Sequence, residues 1–450
     1  MRIRNYLKKR GRTRLASVMP IHIGPCFLAL NRAPAWALAG AICLILSVAG
    51  YGQSTTSVDL DKAIELALVH NHSLKATRTQ ILQNQAQEIT ANLRPNPTFG
   101  ADSQFVPFFS PQDFSGTNFD QVQQFDVGLS YLFERGHERQ RRLQAARDTT
   151  AVTRAQVADA ERTLAFNVSQ QFISVLLAQS ALQLAQEDLK AFQQTVDISQ
   201  EQFKAGYIGE GDYLKISLQL LQFQTDVSSA KLAKVQAMVG LRELVGYDAL
   251  PENFDVNGEL TYQPLKTGLD DLKLQALRER PDYKAAQLGV TAAQSQIQLA
   301  KANSKVDVTG TYNVDHVAGE TTSSIFASVP LAIFDRNQGE IARTRYALTQ
   351  SQEQQQSASD AVLSDVANAY AAVKSNDEVV QLYTSGYLKQ AQDSRDISQY
   401  AYKRGAASLL DFLDAERSYR AIQLAYRQAL ASYMTSIEQL KEAVGTRNLP

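Results

Sequence analysis

The side chains with most capacity for chemistry in this 450-residue chain are a few carboxylates. Asp411 and Asp414 stand three apart, so on a helix they share a face and offer a cation two neighbouring anionic groups. Asp212 holds the place of Asp411 in a matching run 199 residues earlier. Other chemistries lack their residues. Both cysteines, Cys26 and Cys43, fall in the first 53 residues. The remainder therefore has no disulfide framework, zinc–cysteine cluster, iron–sulfur site or cysteine nucleophile. His70-Asn71-His72 comes nearest to a metal-binding pattern, but the later copy reads Glu279-Arg280-Pro281 there, so it reads as a turn opening a helix. His137 and His316 are isolated, and no P-loop or Ser-His-Asp order stands out. No catalytic, cofactor-binding or metal-ligating residue is assigned, and no cofactor is expected.

The charge is uneven. The chain carries 45 basic against 46 acidic residues, a net of −1. Residues 1–53 hold eight basic residues and no acidic one, which leaves 37 basic against 46 acidic, or −9, for the rest. An acidic body argues against a nucleic-acid partner. Residues 37–50 form an apolar run behind the basic segment, followed by small residues. That is the pattern of a secretory signal peptide, placed at residues 1–52. The run is shorter than the ~20 residues a spanning helix needs. Translation from Met1 and from Met19 are both compatible with it. Cys43 follows Ile42, where a lipidated cysteine wants a small residue, and reads as an inert cysteine. The remaining chain is expected to be exported by a Gram-negative bacterium.

Self-comparison shows two copies of one unit, 57–250 and 266–446, joined by a linker at 251–265. Asp197-Ile198-Ser199-Gln200 pairs with Asp396-Ile397-Ser398-Gln399, Lys204-Ala205-Gly206 with Lys403-Arg404-Gly405, and Asp212-Tyr213-Leu214 with Asp411-Phe412-Leu413. Each copy predicts a short helix, a medium helix, two strands, a very long helix, a glycine break and a returning helix. The strands are expected within hairpins at 97–134 and 305–334, near 97–107, 121–134, 305–315 and 323–334. Phe125, Val127, Leu129, Tyr131 and Phe133 alternate with mainly polar residues, as do Val306, Val308, Gly310, Tyr312 and Val314, so one face is apolar. The long helices are expected at 137–205 and 340–404. Residues 137–205 contain no Gly or Pro, enough for about 100 Å of helix. Val168, Val175, Leu182, Leu189, Val196 and Phe203 recur every seven residues, as do Val366, Val373, Val380 and Tyr387, the latter series with Gly386 interrupting. This is a coiled-coil seam. Returning helices are expected at 212–245 and 409–444. Phe105, Phe108, Phe109 and Phe114 in the first hairpin loop suit an aromatic belt at a membrane interface, or a loop packed on itself.

Four strands cannot close a membrane barrel, and open edges are not tolerated in lipid. Strands that span a membrane would therefore have to come from several chains. The competing reading is a small soluble sheet on a coiled-coil scaffold.

The doubled order of elements resembles the TolC-type outer-membrane efflux proteins across about residues 57–446. Tyr402-Lys403-Arg404-Gly405 through Asp411 and Asp414 is similar to the family's second helix-turn motif, and Phe203-Lys204-Ala205-Gly206 through Asp212 to the first. Pro330 through Gly339 resembles the strand exit in a form common in the cation-efflux subgroup. The resemblance implies a mixed, mainly α fold with membrane β: a homotrimer whose 12-stranded outer-membrane β-barrel continues into a long periplasmic α-helical barrel. It implies an exit duct without chemistry of its own, in a tripartite efflux or type I secretion system. Its partners would be a periplasmic adaptor, an inner-membrane transporter of RND or ABC type, and outer-membrane lipid. Drug, metal and protein export all remain open. A periplasmic coiled-coil adaptor or scaffold is the alternative class, although adaptors carry one helical hairpin where this chain has two.

The resemblance places the candidate site at the periplasmic end. Asp212, Asp411 and Asp414 would form a carboxylate ring near the pore axis, with Tyr402 in the gate's hydrogen-bond network. Gly206, Tyr207 and Ile208, with Gly405, Ala406, Ala407 and Ser408, would be the hairpin tips that meet the adaptor. Where the family's gate has an arginine that bridges neighbouring chains, this chain has Ala407, with Arg404 offset nearby. Helix capping is the competing role for the aspartates. It fits Asp212 better than Asp411 and Asp414, which fall inside the returning helix.

Overall fold

A computed structural model of the chain describes residues 57–449, apart from the side chains of Asn118 and Phe119. The basic leader, with Cys26, Trp36 and Cys43, lies outside the described residues. Strand β1 (Ser57–Val58) opens the fold, followed by helices α1 (Leu60–His70) and α2 (His72–Ala91). Strands β2 (Thr98–Gln104) and β3 (Gln124–Phe133) flank a loop with a 3-10 turn at Pro111–Asp113 and a short helix α3 (Gly116–Gln121). The long helix α4 (Glu138–Lys204) and the returning helix α5 (Glu210–Val245) complete the first half. After strand β4 (Asp255–Val256), the second half repeats the order: α6 (Leu269–Glu279), α7 (Pro281–Ala302), β5 (Val308–Val317), β6 (Glu320–Ser328), α8 (Gln338–Leu382), α9 (Leu388–Lys403) and α10 (Leu409–Val444).

Helix α4 has 67 residues, about 100 Å at 1.5 Å per residue. Val168, Val175 and Val196 of its expected seam are buried, Leu182 and Leu189 are half-buried, and Phe203 is exposed at the end. In the second half Val366, Val373 and Val380 are buried, whereas Tyr387 is 53% exposed. The cause is local. A π-turn at Tyr383–Tyr387 separates α8 from α9, and Gly386 within it has φ 138°. A π-turn changes the helical phase, so a strict seven-residue count no longer returns Tyr387 to the core.

The hydrophobic core forms three clusters. Ile64 and Ala67 of α1 pack with Val168, Phe172 and Val175 of α4 and Leu241 of α5. Leu272 and Ala276 of α6 pack with Val366 and Val373 of α8 and Tyr433 and Leu440 of α10. The third lies toward the glycine breaks and joins Phe192 and Val196 of α4 with Ile216 and Phe223 of α5 and Phe412 of α10. The segment expected to be a plain linker does more: β4 pairs in parallel with β1 through Val58 and Val256, and both valines are buried in the first cluster.

The remaining strands form one antiparallel sheet in the order β2-β3-β5-β6, so β3–β5 pairing joins the two hairpins and β2 and β6 are its edges. Phe99, Leu129, Tyr312 and Ile325 stand in register across all four strands on one exposed face. In another cross-strand row, Asp102 pairs with Asp126, Asp126 with Asp315, and Asp315 with Thr322. By the two-residue period, this row lies on the opposite face. The second hairpin differs from expectation. Val317 and Glu320 pair across a two-residue turn whose members, Ala318 and Gly319, have φ 51° and 80°. Such a tight primed turn ends β5 two residues later and starts β6 three residues earlier than the sequence suggests. The strand stops at Ser328, because Pro330 has no N–H to give a ladder. In the first hairpin, β2 ends at Gln104 before Phe105, whose φ is 58°. Phe105, Phe108, Phe109 and Phe114 are all exposed rather than packed on themselves.

Candidate functional site

Each long helix ends in the same way. Gly206 and Gly405 have φ 78° and 72°, and an added Cβ at either would meet nothing within 4 Å. The glycines are therefore required by backbone conformation rather than by crowding. Tyr207 N–H donates to the Gln202 carbonyl at 2.8 Å, and Ala406 N–H to the Ala401 carbonyl at 2.8 Å. These are paired Schellman caps that stop the helix and turn the chain. Two matched aromatic stacks hold the turns: Phe203 on Tyr213 at 5.3 Å and Tyr402 on Phe412 at 5.5 Å. Tyr207 projects at 83% exposure, Ala406 is exposed, and Ile208 and Ala407 are half-buried.

The tips then diverge. Gly209 begins α5 with no side-chain cap, and Asp212 sits in the first turn, 3.5 Å from Lys215 Nζ. Ser408 begins α10 with a capping box: its Oγ accepts from Asp411 N–H, and the Asp411 carboxylate accepts from Ser408 N–H. Asp411 thus takes part in capping and Asp212 does not, the reverse of the order expected from the sequence. The Ser408-Leu409-Leu410-Asp411 spacing carries that signal. Asp414 pairs with Arg417 at 2.6 Å, and both are exposed. Within one chain, each of the three aspartates therefore has a local partner. Arg404 lies over the Tyr400 ring at 5.4 Å, and Ala407 offers no side chain to bridge with. Burial pushes the Tyr402 phenol above its ordinary value; the Ser199 hydroxyl opposes this and the Asp212 carboxylate adds to it. The Tyr402 and Ser199 hydroxyls are both buried and lie close enough to interact, although neither makes a hydrogen bond of good geometry.

A charge cluster absent from the sequence expectations lies behind the tips. Arg420 of α10 reaches Asp188 of α4 at 3.2 Å, pairs with Asp226 of α5 and stacks over Phe223 at 4.1 Å. Glu416, one turn earlier, is buried. Burial raises its pKa, Asp188 adds to the rise, and Arg395 and Arg420 oppose it. Burial raises Asp188 likewise, against Arg420. These partners are 194 and 232 residues apart, so no local pattern announces them. At the other candidate, His70-Asn71-His72, Asn71 caps α2 by accepting from Leu74 N–H and donates to the Leu244 carbonyl at 2.8 Å. His72 lies 3.7 Å from Asp248 on the surface.

The chain thus combines two helical hairpins with capped tips and a four-stranded sheet with one apolar exposed face. The family described as outer membrane efflux protein matches residues 63–247 and again 272–446. The chain belongs to that family. Among its relatives is the cobalt-zinc-cadmium resistance protein CzcC of Cupriavidus metallidurans, 21% identical, with 86% of this chain and 90% of that protein aligned. Another is the pyoverdine export outer membrane protein OpmQ of Pseudomonas aeruginosa, 24% identical over 86% of this chain and 85% of that protein. The fold is similar to the crystal structure of the Campylobacter jejuni CmeC outer membrane channel, with TM-score 0.70, 17% identity, and 86% and 85% of the two chains covered. This outer membrane efflux protein is accordingly a TolC-like, mainly helical efflux duct of the Gram-negative outer membrane, extended into the periplasm. Its family is one of channel proteins rather than enzymes.

Proposed function

We propose that the duct is a homotrimer in which β6 of each chain pairs with β2 of the next, closing a 12-stranded barrel over a helical tunnel about 100 Å long. The observation that carries this reading is the four-stranded sheet itself, which has two open edges and an exposed row of Phe99, Leu129, Tyr312 and Ile325. Lipid accepts such a face only if the edges are satisfied. The apolar row faces outer-membrane lipid, and the Asp102, Asp126 and Asp315 row faces the lumen. Light scattering of detergent-extracted protein, with heat-modifiability on gels, tests this. A soluble periplasmic monomer would overturn it in favour of an adaptor or scaffold.

The tips dock a periplasmic adaptor, which joins the duct to an inner-membrane transporter of RND or ABC type. The exposed Tyr207, Gly405, Ala406 and Ser408 supply the contact, with Gly206, Ile208 and Ala407 setting its backbone. Three copies of Asp212, Asp411 and Asp414 ring the periplasmic mouth and favour cations. The relatives carry names for metal resistance and for pyoverdine export, so the cargo follows the pump rather than the tunnel. Asp411→Asn with Asp414→Asn tests the ring: divalent-cation block of single channels should weaken. Unchanged block would remove these residues from the mouth.

A further inference from the structure

Where the sheet gives way to helices, between the start of α4 and the end of α7, lies a cleft of about 410 Å³. Arg135, His137, Arg141, Lys301 and Lys305 line it, and none of its lining residues is acidic. The side chains of Arg135, Arg141, Lys301 and Lys305 have no hydrogen bond or ion pair among the described residues. Three acids stand beside it: Glu134 and Glu138 face Arg142 at 2.6 and 3.8 Å, and Asp307 accepts from Arg135 N–H at 2.8 Å; burial, Asp307 and Glu134 together raise the Glu138 carboxyl above its ordinary value. His137 caps α4 without a side-chain bond, so the positive end of a 67-residue helix adds to the field. Arg135, Arg141, Lys301 and Lys305, all exposed, outnumber these acids, and their summed field draws an anion to the cleft.

The position identifies the anion. Arg135 follows Phe133 at the end of β3, and Lys305 precedes Val308 at the start of β5. This is the periplasmic rim of the apolar face. Val306, also in the lining, continues the alternation of Val308. His137 also lines an adjoining cleft with Arg94, Arg139, Tyr131, Phe133 and Glu134, the last paired with Arg142. There the two aromatic rings meet edge to face at 4.9 Å. Aromatic rings beside cations at a membrane rim suit a lipid, with its chains along the rings and its phosphate among the cations. β3 and β5 are the inner strands, so pairing at the edges β2 and β6 leaves their root uncovered.

We propose that this cleft binds the phosphate headgroup of an anionic phospholipid in the periplasmic leaflet, fixing the height of the duct in the membrane. The inference rests on the membrane-embedded reading of the sheet. Delipidated full-length protein is titrated, with native mass spectrometry as readout, with short-chain phosphatidylglycerol, phosphatidylcholine of the same chains, and inorganic phosphate. The wild type should prefer phosphatidylglycerol. The variant Arg141→Gln, Lys301→Gln, Lys305→Gln should bind it about 100-fold more weakly, about fivefold per charge. Equal phosphatidylglycerol binding by variant and wild type would overturn the site. Inorganic phosphate binding as tightly as the lipid would overturn the lipid assignment, as would displacement of the lipid by peptidoglycan fragments. Single-channel conductance in planar bilayers is the separate readout: channels without lipid preference refute the cleft alone, and absence of channels refutes the membrane-embedded sheet.

Discussion

Arg420→Met isolates what ties the two hairpins together behind their tips. Methionine keeps an apolar stem of similar reach but removes the guanidinium that lies over Phe223 and the charge that Asp188 and Asp226 share. The Asp188 side chain is only 9% exposed, so its carboxylate cannot be rescued fully by water. Breaking a buried pair costs about 3–5 kcal/mol. Arg420 and Asp226 are 21% and 29% exposed, and Arg395 and Arg427 still act on Asp188, so about 2–3 kcal/mol is expected. Outer-membrane channel proteins seldom unfold reversibly, and global stability is the wrong readout. Hydrogen exchange of the full-length protein resolves the local effect. Peptides covering 185–230 and 410–425 should lose about 30- to 150-fold protection. Those around Val366 and Val373 should stay unchanged. Adding Asp188→Asn and Asp226→Asn should recover most of the loss, because no buried charge is then left alone. A loss of less than about threefold, the range of a surface pair, would refute the reasoning.

Other expectations follow from the same region and from the sheet. Glu416 has a raised folded pKa, so the folded tip holds its proton above the ordinary value of 4.5. That stabilisation is present below 4.5 and is lost as pH rises through the raised value; tip protection should grow as pH falls toward 4.5, and Glu416→Gln should flatten this part of the profile. Gly405→Ala forces a side chain into φ 72° and should cost about 1 kcal/mol at the tip, read as about fivefold faster exchange there with exchange elsewhere unchanged. Asp126→Asn with Asp315→Asn removes two of three carboxylates in the cross-strand row, and the reversal potential in a potassium chloride gradient should shift toward lower cation preference.

Much of this architecture was legible in the sequence because it follows from local periodicity. The uninterrupted stretch around α4 allowed one long helix, and the two glycines marked both tips within a residue. The matched stacks of Phe203 on Tyr213 and Tyr402 on Phe412 lie within the paired motifs. What escaped depends on partners far away in the chain. Val58 and Val256 form a sheet too short to alternate. Asp126 and Asp315 meet only through a register that the apolar pattern fixes in parity and not in offset. Arg420 looks like one more surface cation on a helix until α4 and α5 are brought beside it. The role of Asp411 was readable and was outweighed by its place inside the helix: the capping box puts the carboxylate three residues in, where it reaches back.

The π-turn at Gly386 makes the two hairpins mechanically unequal. Helix α4 is one strut from sheet to tip, whereas the second strut is jointed, with 16 residues of α9, about 24 Å, below the joint. No residue of α9 is buried, while α8 above the joint is pinned by Val366, Val373 and Val380. A rotation of about 10° there carries the lower end about 4 Å sideways at that arm length. The same torque spread over the unbroken helix α4 has no such fulcrum. Of the two long struts, the one leading to Tyr402 and Asp411 carries a joint, and the one leading to Asp212 does not.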